Sequence, residues 1–126
     1  MIALQHFERF RLRHPQATLV ANGDGSHTVT VPDVPLGDGW SREQVAVAFV
    51  IPAGYPLASP DCFWTEPGLS LAHGGPPQNT GQSPGPNIPP DWLWFSWHVD
   101  ANRWTANDSD LDTYFNVVRR RLASAQ

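Results

Sequence analysis

A chain of 126 residues with 40% apolar residues makes one domain, residues 1–126, with its own core. A formal charge of −4 excludes a general nucleic-acid binder, and no apolar run approaches the roughly 20 residues of a membrane span. The single cysteine, Cys62, excludes an internal disulfide and a cysteine-based metal cluster.

Glu8 and Arg9 break the N-terminal apolar residues too early for a signal peptide, so the expected address is cytoplasmic. No cofactor is expected. The spacing of Leu4, Phe7 and Phe10 predicts a helix from about Ala3 to Arg13, stopped by Pro15. A short apolar stretch, Ala17 to Ala21, leads into Asn22-Gly23-Asp24-Gly25, a hairpin signal because asparagine and glycine tolerate positive φ. Ser26 to Val34 alternates as a strand does, with Val29 and Val31 on one face and Thr28 and Thr30 on the other. Gln44 to Ile51 is nearly all apolar, the pattern of a central strand buried on both faces. Cys62-Phe63-Trp64 is the fourth expected strand, and Cys62 reads there as a buried, inert thiol.

From Glu66 to Pro90 proline and glycine remove all regularity, which marks a long loop of the kind that is functional or disordered. Trp92, Trp94, Phe95, Trp97 and Trp104 follow as an aromatic cluster, read as core and loop anchors because no basic groove accompanies them. The last element is a helix with Leu111, Phe115, Val118 and Leu122 on one stripe. Asp108 or Ser109 is its expected cap, Asp110 and Asp112 its first turn, and Arg119, Arg120 and Arg121 its last. Helix, four-strand meander, long loop and helix together predict an α+β domain with helices packed on an antiparallel sheet.

Two segments carry a resemblance. Ile51-Pro52-Ala53-Gly54-Tyr55-Pro56-Leu57-Ala58-Ser59-Pro60 places prolines and a Tyr-Pro pair before the fourth strand. Gly85-Pro86-Asn87 precedes Phe95-Ser96-Trp97-His98, with Trp104 eight residues after Ser96. The first segment resembles the turn between the third and fourth strands of the ubiquitin-conjugating (UBC-like) fold. The second resembles its His-Pro-Asn motif, catalytic cysteine and following tryptophan. Here glycine stands for the histidine, serine for the cysteine, and the spacing is about one residue longer. The chain looks most similar to the divergent bacterial branch that lacks the catalytic cysteine, many of whose members carry a Phe-Ser-x-His segment. The two late helices of longer members are expected to be absent.

The resemblance implies a conjugating enzyme of a ubiquitination-like pathway. Its partners would be a ubiquitin-like modifier, an activating enzyme and a deconjugating peptidase, with neither nucleic acid nor membrane. Ser96 would carry the modifier as an oxyester. A serine hydroxyl needs a base, for which His98 and His73 are the candidates, and Asn87 is the candidate oxyanion donor. Each has a plain alternative: a loop serine, structural or surface histidines, and an asparagine that holds a turn. At the level of the whole chain, the alternative is an inactive variant that binds a ubiquitin-like protein or scaffolds the activating enzyme. A serine hydrolase is disfavoured because no Gly-x-Ser-x-Gly surrounds Ser96. His6, His14 and His27 are too scattered to argue for a metal site. The arginines of the first helix read as a solvated face or as a docking surface for the activating enzyme.

Overall fold

A computed structural model of the chain describes residues 1–100 and 103–126. The first helix, α1 (Ile2–Arg11), buries Ala3, Phe7 and Phe10. Leu4 stays exposed, so the apolar stripe begins at the neighbouring alanine. Three strands then form a meander: β1 (Thr18–Ala21), β2 (His27–Pro35) and β3 (Gln44–Ile51). The β1–β2 hairpin closes at the expected residues. Gly23 and Gly25 take φ of 86° and 93°, and the Asp24 carboxylate accepts from the Ser26 amide at 2.9 Å.

The sheet differs from the expected four strands. Among the described residues it has six, in the order β1-β2-β3-β4-β6-β5, with β4 (Phe63–Thr65), β5 (Thr80–Gly81) and β6 (Leu93–Phe95), and every pairing among them is antiparallel. The two added strands come from the proline-rich connection and the aromatic cluster. Strands of two and three residues are too short to show a period of two, so the sequence pattern misses them. Glu66 to Pro90 is accordingly a connection with internal structure and fixed contacts. Trp64 Nε1 donates to the Ser83 carbonyl at 2.8 Å, and the Thr28 hydroxyl donates to the Pro86 carbonyl at 2.6 Å. Cys62, assigned above to the fourth strand, lies just outside it, with φ of 62°.

The last helix, α2 (Leu111–Ala123), buries Leu111, Phe115, Val118 and Leu122 as the stripe requires, and Tyr114 with them. Its N-cap is Asp110, two residues beyond the expected Asp108 and one beyond Ser109. The Asp110 carboxylate accepts from the Thr113 amide at 3.0 Å and the Thr113 hydroxyl accepts from the Asp110 amide at 3.0 Å, a reciprocal capping box. The Ser109 hydroxyl instead accepts from the Thr105 amide.

Both helices cover one face of the sheet. Phe10 meets Phe49 and Phe115 edge to face with ring centroids 6.1 and 5.4 Å apart, and Phe63 stacks on Phe95 at 4.5 Å. The other face is covered by the connection itself. Ala48, Trp64 and Ile88 form a second cluster there, with Val50, Trp92 and Trp94 against it. The central strand β3 is therefore buried on both sides, as its continuous apolar run predicts. Among the described residues, no helix is long and apolar enough to cross a membrane.

Candidate active site at one end of the sheet

β4 and β6 pair through Phe63↔Phe95, Trp64↔Trp94 and Thr65↔Leu93. The residues one step beyond Phe63 and Phe95 are Cys62 and Ser96. The pairing continues there out of register. The Cys62 amide donates to the Trp97 carbonyl at 3.1 Å, and the Ser96 amide turns to the other neighbour and donates to Asn79 at 2.8 Å. A step of one residue on one strand accounts for the left-handed backbone of Cys62, a conformation uncommon outside glycine. The Cys62 carbonyl is held as well, by the Tyr114 hydroxyl from α2.

His98 lies two residues beyond Ser96. Its Nδ1 is hydrogen-bonded to the Asp61 carboxylate, and both side chains are more than half exposed. Donor atoms of Asp61, Cys62 and His98 all lie within 4.8 Å of one another. Cys62 is half-buried rather than sealed in the core. Burial pushes its thiol above the ordinary range and the nearby Asp61 charge adds to that. An open cleft of about 570 Å³ begins at His98 and runs between α2 and the segment after β6. Trp97, Val99, Arg103, Val117 and Arg121 are among its lining residues.

The candidate residues are not gathered equally. Ser96 and His98 share one end of the β4–β6 pair. Among the described residues, the Ser96 hydroxyl makes no hydrogen bond. Asn87 lies at the same end of the sheet but over β2, where Thr28 holds Pro86 and the Asn87 amide donates to Asn22 Oδ1 at 2.7 Å. Two strand spacings separate β2 from β4, about 10 Å. His73 lies beyond the other end of β4. Its neighbour Ala72 is tied to Gly39 in the β2–β3 connection, and its Nδ1 accepts from the Gly75 amide at 3.3 Å.

Gly85, which stands where the resemblance has histidine, has no space for a side chain. A Cβ there would lie 2.9 Å from the Trp64 ring and 2.7 Å from Ile88 Cδ1. Tyr55 and Trp104, the aromatic residues of the two segments, meet in the fold. The rings are 5.9 Å apart, and Trp104 Nε1 donates to the Pro56 carbonyl at 2.8 Å, which pins the turn before β4 to the segment before α2.

Asp61 was not among the residues singled out from sequence, and Cys62 was read as inert. Neither is near Ser96 in the chain. Only the β4–β6 pairing joins them, and the signal for it, Cys62-Phe63-Trp64 against Trp94-Phe95-Ser96, is two aromatic pairs long.

Comparison with known protein families matches residues 9–125 to one model, described as prokaryotic E2 family E. No curated protein and no solved structure matches significantly.

Proposed function

Since this chain belongs to prokaryotic E2 family E, we propose that it is a conjugating protein that accepts a ubiquitin-like modifier from an activating enzyme as an oxyester on Ser96 and passes it on. The family implies a modifier and an activating enzyme as partners in general terms. The observation that carries the oxyester is the β4–β6 pairing, which sets Ser96 and an aspartate-held histidine at one strand end, beside an open cleft.

The chemistry follows from those groups. Ser96 Oγ attacks the carbonyl carbon of the activating enzyme's thioester, and its proton passes to His98. The C–S bond breaks, and the departing thiolate takes the proton from His98. With Nδ1 held by Asp61, His98 has Nε2 available to receive it. The cleft beyond His98 gives the extended end of the modifier a place to lie. Asn87 would serve the oxyanion only after giving up Asn22, and His73 would have to cross the length of β4, so neither enters this scheme as placed.

The test uses the purified chain and a fluorescent glycylglycine thioester of mercaptoethanesulfonate as a stand-in for the charged activating enzyme. The expected result is an adduct on Ser96, found by peptide mapping, that resists dithiothreitol and breaks in mild base. Ser96→Ala should abolish that oxyester. Failure of the unmodified chain to form an acyl adduct, with binding of a ubiquitin-like protein retained, would replace this reading with the non-catalytic binding role.

A further inference from the structure

Cys62 is the chain's single cysteine, and it and Ser96 are the residues one step beyond the Phe63↔Phe95 pair on their two strands. We infer that Cys62 is a second acyl acceptor of this site, which takes the modifier's acyl group from the activating enzyme's thioester, with the Asp61–His98 pair as base, and hands it to Ser96. The inference rests on the acyl-transfer reading above and adds a residue and a step to it.

Three observations support it. The sulfur is within 4.8 Å of both a ring nitrogen of His98 and a carboxylate oxygen of Asp61, and Asp61 and His98 are hydrogen-bonded to each other. That is the arrangement of nucleophile, base and orienting carboxylate that activates a thiol. The backbone of Cys62 is held on both sides, amide to Trp97 and carbonyl to Tyr114, which fixes where its side chain begins. Burial and the Asp61 charge keep the thiol protonated at rest, so a base is required and one is in place.

The order of the steps follows from reactivity. A thiol exchanges with a thioester more readily than a hydroxyl attacks it, and an oxyester is the more stable product. In the first step Cys62 Sγ bonds to the acyl carbon, the activating enzyme's sulfur leaves, and the thiol proton passes through His98 to that sulfur. In the second, Ser96 Oγ bonds to the same carbon, Cys62 Sγ leaves, and the hydroxyl proton passes through His98 back to Cys62. No oxidant or reductant is consumed.

The experiment adds the same glycylglycine thioester to the full chain, to Cys62→Ala and to Ser96→Ala. Adducts are read by intact mass before and after dithiothreitol, and melting curves confirm that each variant is folded. Ser96→Ala is expected to hold an adduct on Cys62 that dithiothreitol releases. Cys62→Ala is expected to acquire the Ser96 oxyester at least about tenfold more slowly than the unmodified chain, because the slower hydroxyl must attack alone. A Cys62→Ala chain that forms the oxyester at the original rate, with no thiol-labile adduct on Ser96→Ala, overturns the inference and leaves the Ser96 reading standing. A thiol-labile adduct on Cys62 with no oxyester on any chain sustains Cys62 as acceptor and overturns Ser96. No adduct on any of the three overturns both.

Discussion

At the scale of single residues, the Asp61–His98 contact is the one whose purpose is hardest to assign to stability. Both side chains are well exposed, at 63% and 58%, and an exposed pair of that kind adds little to folding. Its effect is on the ring. A carboxylate at Nδ1 fixes the tautomer and leaves Nε2 as the proton acceptor. Asp61 is therefore a positioning residue. Asp61→Asn should leave the melting temperature nearly unchanged while slowing adduct formation by on the order of 100-fold, the usual worth of a positioned base. Asp61→Glu should recover part of that rate. A variant that loses stability in proportion to rate would show the pair to be structural instead.

At the scale of elements, α2 is held at its start by a cap that the sequence half disclosed. Asp108, Ser109 and Asp110 are all capping residue types, and no sequence rule chooses among them. Thr113 decides it, because its hydroxyl reaches back to the Asp110 amide. Asp110 also meets Arg9 of α1 at 3.6 Å, so the cap joins the two helices. Asp110→Ala should cost about 1 kcal/mol, measured by urea unfolding, and Asp110→Asn much less. His14 is the second link between the helices. It sits on Phe10 and Phe115, with ring centroids 4.4 and 4.8 Å away, and burial holds its pKa below the ordinary histidine value despite Asp112 nearby. The unfolded chain then binds more protons than the folded one as pH falls through about 6.5, so stability drops on acidification. Thermal melts from pH 7.5 to 5.5 should show that decline, and His14→Gln should make it shallower. It should not vanish, because His6 is shifted in the same direction by burial. The same scale explains what the sequence disclosed. The long periodic elements, α1, β2, β3 and α2, were legible because their apolar residues repeat. β5, β6 and the end of β4 were not, because they are too short to repeat and are defined by partners distant in the chain. The candidate site lies among these illegible strands. Ser96 and His98 could be picked out by resemblance, whereas Asp61 and Cys62 could not.

At the scale of the whole molecule, one buried cation ties these parts together. Arg121 was expected as part of a basic last turn, facing the carbonyl end of α2, yet it is only 2% exposed. Its guanidinium donates to the carbonyls of Gln78, Ser124 and Gln126. It also lies 5.2 Å from the centroids of Phe95 and Trp97 and 5.5 Å from that of Trp40. Phe95 and Trp97 flank Ser96, and Gln78 precedes the Asn79 carbonyl that holds the Ser96 amide. The segment carrying the candidate nucleophile is thus fixed from the helix side by a single side chain. An arginine suits this because its planar fork serves several carbonyls while its faces take aromatic rings, and lysine offers only a point charge. Arg121→Met keeps the volume and removes the donors, leaving three carbonyls without them. It should cost on the order of 3 kcal/mol, a fall of roughly 10 °C in the unfolding midpoint for a domain of this size. Arg121→Lys should fall between the two. If the guanidinium positions the strand end as well as stabilising it, acyl transfer from the thioester probe should fall in Arg121→Lys at a temperature where that variant is fully folded. An undiminished rate there would confine Arg121 to holding the fold.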